Sequence, residues 1–333
     1  MSHSRRKFLK TAAVTGTFAA IPPTSVAAKY GRVTPDEICA LFAQLPGDTA
    51  LKIVVPTEKR KGAFVAQLNS NRMLFVASAI KTFVLCEALR QADSPDVDAL
   101  LEQNELVLDS TIWSIGNETF MPPDIAGLVS ERTAMEAMIT RSDNTATDMM
   151  FKVAGVDNVR KFIANAGLTS TLVPESTRAF TGYVFGASDY KNLSWERLLK
   201  VITGPVVQPL LNDVQTLASS ADDLVSYYSR ALQGQFFKHS ETLNEFRRIL
   251  TLCNFIYLVP LPLGVSAYAK SGNVDLAGFH GRSIAGGLFT GDQWVYFAFI
   301  INWQADGDDP ETVKRFFSAI NQSLTLVTSS LKG

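Results

Sequence analysis

The order of strand-like and helix-like segments is the strongest constraint on the fold, because strand patterns stand at both ends and helical periodicity fills the middle. Strand patterns occupy residues 49–56 and 63–77, and apolar residues then recur at helical spacing from Ser78 to about residue 255. Strand patterns with glycine-containing turns return between residues 264 and 303. A sheet must bury one face against other elements, so we expect the two ends of the chain to share one sheet.

Helix-start signals stand at both outer ends of this pattern. Thr34, Pro35 and Glu37 give an N-cap, a first-turn proline and a capping-box glutamate, while Asp309 and Pro310 open the last helical pattern. We expect two of the N-terminal strands and the three C-terminal strands to form a five-stranded antiparallel sheet, with these helices packed on one face. The predicted fold is therefore α+β, similar to an α/β/α sandwich, with an inserted all-helical lobe.

The same pattern predicts two domains. Residues 29–77 and 256–333 would form the sheet domain, and residues 78–255 would form the all-helical domain. Residues 69–71 (Asn-Ser-Asn) predict a hairpin turn between two strands of the first segment. Because binding sites favour domain junctions, we expect the active site in a cleft between the two domains.

Residues 1–28 have the pattern of a secretory leader. A basic region from Ser4 to Lys10 precedes an apolar stretch and then small residues. The adjacent pair Arg5 and Arg6 resembles a twin-arginine export signal, which a receptor reads and which does not anchor the chain. We therefore expect a periplasmic or secreted protein that uses the twin-arginine export machinery and has no stable membrane anchor.

The mature chain is predicted to have a mildly acidic surface. Removal of the leader takes away four of the 31 Lys and Arg residues and none of the 32 Asp and Glu residues, which leaves a net charge of about −5. No basic stripe is present for nucleic acid, and three cysteines are too few for a disulfide scaffold. We expect a monomer that acts on a small-molecule substrate.

Several common catalytic arrangements are missing from the sequence. Outside the leader the only histidines are His239 and His280, and there is no G-x-S-x-G pattern, which argues against a hydrolase with a histidine base. No cluster of His, Cys, Asp or Glu has a metal-ligand spacing, and no glycine-rich phosphate loop is present. We therefore expect neither a metal nor another cofactor.

A polar pair interrupts the almost entirely apolar run FVASAIKTFVLCEAL. Ser78 and Lys81 are three residues apart near a predicted helix start, so their side chains stand on one face. Apolar surroundings lower the pKa of a lysine, and the neutral amine can then accept the proton of a serine hydroxyl. Free N–H groups of the first helical turn can stabilise an oxyanion. Taken alone, the S-x-x-K pattern also fits an N-cap serine beside a snorkelling lysine.

Two further motifs follow in a fixed order. S-D-N occupies residues 142–144 between two helical patterns, and K-S-G occupies residues 270–272 at the end of a strand pattern. S-x-x-K, S-D-N and K-T/S-G in this order are the signature of serine β-lactamases and penicillin-binding proteins. The chain resembles the class A serine β-lactamases, within the wider penicillin-binding, DD-peptidase-like superfamily, over essentially the whole mature chain.

This resemblance implies a role for each motif residue. Ser78 would be acylated, Lys81 would accept its proton, and Ser142 would relay a proton to the leaving nitrogen. The backbone N–H groups of Ser78 and Asn273 would form the oxyanion hole. The residues that would bind substrate are Asn144 for a side-chain amide, Lys270 and Ser271 for the carboxylate, Gly272 for close approach of the substrate backbone to the strand, Asn273, and Arg282 for assistance to the carboxylate.

Two of these roles have open alternatives. Class A enzymes carry a glutamate in a loop pattern R-x-E-x-x-L-N that orients the deacylating water. Here the loop reads TLVPESTRAF, and its only acid, Glu175, lies 33 residues after Ser142 without the flanking arginine and asparagine. Glu175 is either the water-activating base or a surface glutamate paired with Arg178. Arg282 is either a carboxylate ligand or a solvated strand-end arginine.

The fate of the acyl-enzyme separates the functional alternatives. If Glu175 activates water, the resemblance implies a β-lactamase that hydrolyses the β-lactam amide bond. Without that base, the same scaffold would be a DD-peptidase or esterase acting on an acyl-D-Ala-D-Ala-like substrate, or a slowly deacylating penicillin-binding or sensing protein. Each alternative begins with acylation of Ser78.

Overall fold

The computed structural model describes residues 33–56, 63–254, 261 and 264–331 of the chain. The predicted leader at residues 1–28 lies outside these described residues. Within them, no helix combines the length and the apolar character that crossing a bilayer requires.

A five-stranded antiparallel sheet is built from both ends of the chain. Its strands are β1 (Asp48–Val55), β2 (Phe64–Leu68), β7 (Ser266–Leu276), β8 (Phe279–Phe289) and β9 (Trp294–Trp303). Their order across the sheet is β2-β1-β9-β8-β7, and all neighbours run antiparallel. The N-terminal and C-terminal segments therefore meet where β1 pairs with β9, which confirms the predicted α+β sheet.

Helices cover both faces of this sheet. On one face, α1 (Pro35–Phe42) and α11 (Pro310–Ser330) pack together, and the Phe42 ring lies 5.4 Å from Phe299 on β9. On the other face, α9 (Ala221–Ala231) packs against β8 and β9. Every residue of β9 after Trp294 is buried, as expected for a central strand covered on both faces.

The sequence signals at the two terminal helices are confirmed. Thr34 accepts a hydrogen bond from the Glu37 N–H at 3.3 Å, and the Glu37 carboxylate accepts one from the Thr34 N–H at 2.8 Å. This reciprocal pair is the predicted capping box. Asp309 caps α11 by accepting from the Thr312 N–H at 3.0 Å, directly before Pro310.

The segment between β2 and β7 is mainly helical. Besides α9, its helices are α2 (Lys81–Gln91), α3 (Val97–Gln103), α4 (Glu131–Thr140), α5 (Asn144–Ala154), α6 (Val156–Asn165), α7 (Thr177–Val184), α8 (Trp195–Val201) and α10 (Ser240–Thr251). The domain boundaries predicted for this insertion stay a prediction.

The prediction that this insertion is all-helical is wrong in two places. Within residues 78–255, a hairpin pairs β4 (Glu105–Leu108) with β5 (Gly127–Ser130), and β6 (Ala218–Ser219) pairs with β3 (Leu74–Phe75), which precedes the insertion and lies in the strand pattern of residues 63–77. The strands β4, β5 and β6 have only two to four residues, which is too short to show a periodicity of their own within the helical pattern.

The predicted hairpin at residues 69–71 is also wrong. A turn is present there, with the Arg72 N–H donating to the Asn69 carbonyl at 3.0 Å, but the next strand, β3, pairs with β6 and not with β2. The Asn302 side chain on β9 also holds this strand: its amide accepts from the Phe75 N–H and donates to the Phe75 carbonyl, both at 2.9 Å. The backbone polar groups of Phe75 are therefore bonded to β9 and not to β2.

β7 approaches the chain around Ser78 more closely than a side chain would allow. Ser78 lies in a short 3-10 helix (Ala77–Ile80) directly before α2. A Cβ atom at Gly272 would lie 2.8 Å from the Ser78 nitrogen and closer still to the Val76 carbonyl oxygen. Only glycine fits this contact, which joins the sheet to the start of the insertion.

Gly272→Ala is therefore expected to lower the free energy of unfolding by about 1–3 kcal/mol, because the new methyl group must displace backbone atoms. Denaturant unfolding followed by circular dichroism measures this change. Gly307→Ala is the matched control, since a Cβ there meets open space. Equal stability of Gly272→Ala and Gly307→Ala would contradict the close contact.

Candidate active site

Three of the predicted motifs meet in one cleft. Ser78, half-buried, lines a cleft of about 230 Å³ together with Ser142, Asn144 and Asn273. Ser142 and Asn144 come from the junction of α4 and α5, and Asn273 comes from β7. Residues far apart in the chain are thus brought together between the sheet edge and the helical insertion.

Lys81 is completely buried beneath this cleft. Its ammonium nitrogen lies 2.5 Å from the Ser142 carbonyl oxygen, 2.7 Å from Asn144 Oδ1 and 3.2 Å from Ser142 Oγ. These acceptors compensate part of the cost of burying the amine. The hydrogen bonds found for Lys81 among the described residues all go to Ser142 and Asn144, so the direct exchange between Lys81 and Ser78 stays a prediction.

Lys270 approaches the same hydroxyl from the sheet side. Its nitrogen donates to Ser142 Oγ at 3.1 Å and to the Ser271 carbonyl at 2.9 Å. Lys270 is also completely buried, so two lysines converge on one serine hydroxyl. Ser142 thereby links both amines.

Burial changes the acid–base properties of both lysines. The pKa of Lys81 is held well below its usual range, first by burial and then by the positive charge of Lys270, while Asp143 and Asp148 oppose this shift. Burial also lowers the pKa of Lys270. A lysine in this state gives up its proton more readily than an exposed lysine, as a general base requires.

The backbone around Ser142 is fixed by its neighbour Asp143. Ser142 adopts a positive φ of 56°, which is uncommon for a residue with a side chain. Asp143 caps α5 by accepting from the Ala146 N–H at 2.9 Å, and its other oxygen accepts from the Phe120 N–H at 2.9 Å. This buried carboxylate therefore ties the S-D-N turn to the loop before β5.

Asn144 is held from two sides. Its Oδ1 accepts from Lys81, and its Nδ2 donates to the Ile115 carbonyl at 2.7 Å. Its backbone N–H donates to Asn117 Oδ1 at 3.0 Å. The same Asn117 oxygen also accepts from the Thr145 N–H at 2.8 Å. Sequence reasoning missed Asn117, because a cap supplied from 27 residues away leaves no local pattern.

The sequence indicated that the K-S-G motif ends a strand. In the structure the motif lies in the middle of β7. Gly272 packs against the Ser78 backbone, so its lack of a side chain serves protein packing, and its role in close approach of a substrate stays a prediction. Asn273, the next residue, is exposed at the cleft, while Ser271 is half-buried.

Glu175 lies outside the Ser78 cleft. It lines a separate cavity of about 550 Å³ and accepts a hydrogen bond from Arg160 at 3.1 Å. The predicted pairing with Arg178 is wrong, because the Arg178 guanidinium is occupied by backbone carbonyls, including that of Leu193 at 3.1 Å. Glu175 therefore fits the alternative of a surface glutamate, with a different partner.

Arg282 is held in an ion pair. Its guanidinium lies 2.8 Å from Asp275 Oδ2, and the other oxygen of Asp275 pairs with His280 at 2.8 Å. In the β7–β8 register, Arg282 stands opposite Asn273, whereas Ile284 stands opposite Ser271. A role for Arg282 in carboxylate binding stays a prediction.

The part of the cleft wall that α7 supplies is mainly apolar. α7 contributes Phe180, Thr181 and Val184 to this wall, and the Phe180 ring stacks on Phe75 at 5.7 Å. The carboxylates that line the cleft are Glu118, which faces Arg141 at 3.7 Å, and Asp275. None of these wall residues was predicted, because no local motif marks them.

No group of three or more His, Cys, Asp and Glu residues within the described ranges is placed to hold a metal ion. The side chains of the three motifs bring hydroxyl, amine and amide groups to the cleft. A serine hydroxyl near buried lysines is an arrangement that can perform acyl transfer.

Comparison with known proteins places this arrangement in a family. A model of the beta-lactamase enzyme family matches residues 35–322. The chain belongs to this family. The match spans all three motifs, and the observed fold is that of the serine β-lactamase-type enzymes. No curated protein sequence matches the chain.

Solved structures with a similar fold include a class A β-lactamase from Bacteroides cellulosilyticus, with 15% identity over 89% of this chain and 99% of that chain and a TM-score of 0.66. PBP-A has 18% identity over 90% of this chain and 95% of that chain, with a TM-score of 0.63. A mutant of PBP-A, solved as an acyl-enzyme complex with penicillin-G, has 17% identity over 87% and 96%, with a TM-score of 0.61. These likenesses show the fold alone.

Lys270→Gln is expected to shift the acid limb of the pH–acylation profile to higher pH. If neutral Lys81 is the base, as predicted, loss of the neighbouring positive charge raises its pKa, so the amine becomes protonated at a higher pH than in the parent. The measurement is the acylation rate at saturating β-lactam as a function of pH. An acid limb that stays in place would show that the charge of Lys270 does not act on the base.

Proposed function

We propose that this member of the beta-lactamase family is a serine hydrolase that opens the β-lactam amide bond through an acyl-enzyme on Ser78. The observation that carries this proposal is the convergence of Lys81 and Lys270 on the Ser142 hydroxyl, at 3.2 and 3.1 Å, in the cleft that Ser78 lines. It supplies a nucleophile, a base and a proton relay without histidine or metal.

In the proposed acylation, Ser78 Oγ attacks the amide carbonyl and its proton passes to neutral Lys81. The C–N bond of the amide then breaks, and the leaving nitrogen takes a proton from Ser142, which recovers one from Lys81 across their 3.2 Å contact. Lys270 donates to the same hydroxyl and so favours its alkoxide-like character during transfer. Atoms and charge balance with no co-reactant other than substrate.

Substrate binding is proposed to use the edge of β7 and the start of α5. The N–H groups of Ser78 and Asn273 would hold the oxyanion, which suits Ser78 because the first N–H groups of a helix lack intrahelical partners. Lys270 and Ser271 would bind the substrate carboxylate. Asn144, with one amide hydrogen already committed to Ile115, would offer the other to the acyl side chain.

The hydrolysis of the acyl-enzyme is proposed to proceed without Glu175. That side chain lines another cavity and is paired with Arg160, and α7 lines the cleft with Phe180, Thr181 and Val184. None of these three α7 side chains is an acid that could act as a general base toward water. We therefore propose that deacylation is the slow step.

The position of Glu175 also favours a second candidate function. With fast acylation and slow water attack, the same site would act as a penicillin-binding protein or as a DD-peptidase or esterase on an acyl-D-Ala-D-Ala-like donor. The likeness to PBP-A, whose mutant was captured as an acyl-enzyme with penicillin-G, supports this alternative. Return of unmodified protein after mixing with benzylpenicillin separates the two functions: rapid return favours a β-lactamase, and persistence favours the second candidate.

Export through the twin-arginine pathway to the periplasm or the cell exterior is proposed from residues 1–28 alone. Arg5 and Arg6 support it. Action as a monomer on a small β-lactam or acyl donor, and a part in antibiotic resistance, are likewise proposals.

Ser78→Ala is expected to abolish the mass increase produced by benzylpenicillin and to slow hydrolysis of a chromogenic cephalosporin by about 10³-fold or more, since it removes the nucleophile. Mass spectrometry of the intact protein and absorbance assays give these values. Ser318→Ala, which removes an exposed hydroxyl on α11, is the control. Parent-like hydrolysis by Ser78→Ala would refute the assignment of the nucleophile.

Glu175→Gln is expected to leave the deacylation rate within about twofold of the parent, because Glu175 lines a cavity separate from the Ser78 cleft and its carboxylate is paired with Arg160. The rate is followed by mass spectrometry after a single turnover with benzylpenicillin. Arg160→Gln breaks the same ion pair from the other side and is the matched variant. If the acyl-enzyme accumulated in Glu175→Gln but not in Arg160→Gln, Glu175 would be the base after all.

A further inference from the structure

The residue before the nucleophile has a strained backbone. Ala77 adopts a φ of 48°, in the left-handed region where a Cβ atom is disfavoured and where glycine is the usual residue. Such a conformation persists only where the surroundings determine it. Ala77 is buried, and Ser78 follows it directly in the 3-10 helix, so the direction of Ser78 depends on this turn.

Two side chains of the sheet hold the backbone that leads into this turn. Asn302 on β9 bonds both the N–H and the carbonyl of Phe75 at 2.9 Å. Ser283 on β8 donates to the Val76 carbonyl at 2.6 Å, and the Val76 N–H donates to the Leu217 carbonyl at 2.8 Å. The three consecutive peptide groups that precede the Ala77 Cα are therefore each hydrogen-bonded to a residue outside this segment.

The Val76 carbonyl matters most, because it belongs to the peptide group whose rotation relative to the Ala77 Cα is the angle φ. This oxygen also accepts from the Ala79 N–H at 3.2 Å, which closes the turn around Ser78. Ser283 and Asn302 are both buried, and neither has a role in the proposed acylation chemistry. Burying a hydroxyl or an amide group away from water lowers the stability of the fold unless the group is hydrogen-bonded. Here both side chains are hydrogen-bonded to one short segment, Phe75 and Val76.

We propose that Ser283 and Asn302 are positioning residues for the nucleophile: they hold Ala77 in its strained conformation and so fix the direction of the Ser78 hydroxyl and N–H. The proposal rests on the proposed acylation of Ser78. The proposal gives Ser283 on β8 and Asn302 on β9 a function that requires no contact with substrate. They act by setting the geometry of the attacking group.

The test compares Ser283→Ala, Ala77→Gly and the double variant. Ser283→Ala is expected to reduce the acylation rate at saturating benzylpenicillin by about tenfold, with the substrate dissociation constant within about twofold of the parent, because misplacement of a reacting group affects the rate more than binding. Glycine adopts a positive φ without support. Ala77→Gly is therefore expected to acylate like the parent, and the double variant to recover to within about threefold of it.

The matched control removes another buried hydroxyl that donates to a backbone carbonyl. Ser323→Ala on α11 deletes such a group, bonded to Ala319 at 2.8 Å, and is expected to leave acylation unchanged. If Ser283→Ala does not fold, Asn302→Asp, which keeps the acceptor for the Phe75 N–H and loses the donor to its carbonyl, takes its place in the same comparison.

Three results would overturn the proposal: parent-like acylation by the folded Ser283→Ala variant, slow acylation by Ala77→Gly alone, or a double variant as slow as Ser283→Ala. A purely structural role for Ser283 would lower the melting temperature without the rescue by glycine. Failure of the parent itself to gain mass with benzylpenicillin would instead refute the proposed function, so the two failures are distinguishable.

Discussion

The arrangement of the site depends on the buried amine of Lys81 and on the oxygen atoms that accept its hydrogen bonds. A buried amine with unsatisfied hydrogens would destabilise the fold by several kcal/mol, so the segment that supplies its acceptors must be placed accurately. Those acceptors belong to Ser142 and Asn144, at the first turn of α5. The cap by Asp143, the positive φ of Ser142 and the bond from Asn144 to Asn117 all serve to place that turn.

The sheet supplies the second half of the site by close backbone contact. β7 has a glycine where a side chain would collide with Ser78, and Lys270 projects from the same strand toward Ser142. The helical insertion and the sheet therefore meet through one serine hydroxyl and one glycine. A shift of either element would change both the electrostatics of Lys81 and the position of Ser78, so the proposed chemistry depends on this junction.

The sequence carried enough information for the fold class and for the polar core of the site. Strand patterns at both ends predicted the shared sheet, and S-x-x-K, S-D-N and K-S-G predicted residues that the structure brings together. Long-range contacts could not be predicted from the sequence: Asn302 bonds Phe75 on β3 across 227 residues, and Arg160 on α6 pairs with Glu175 in the loop before α7. A local pattern reports which side chains are present, whereas tertiary packing decides which atoms they face.

The pairing of β1 with β9 also has a consequence for the order of folding. Asn302, which bonds Phe75 in the segment before Ser78, lies in the last strand of the sheet, so this segment is synthesised long before the side chain that holds it. Contacts of such sequence separation form late, because the loop they close must first lose its conformational entropy. A ribosome-bound chain that ends before β9 therefore contains Ser78 without the Asn302 contact, and the segment before Ser78 can reach its final geometry only when synthesis is nearly complete.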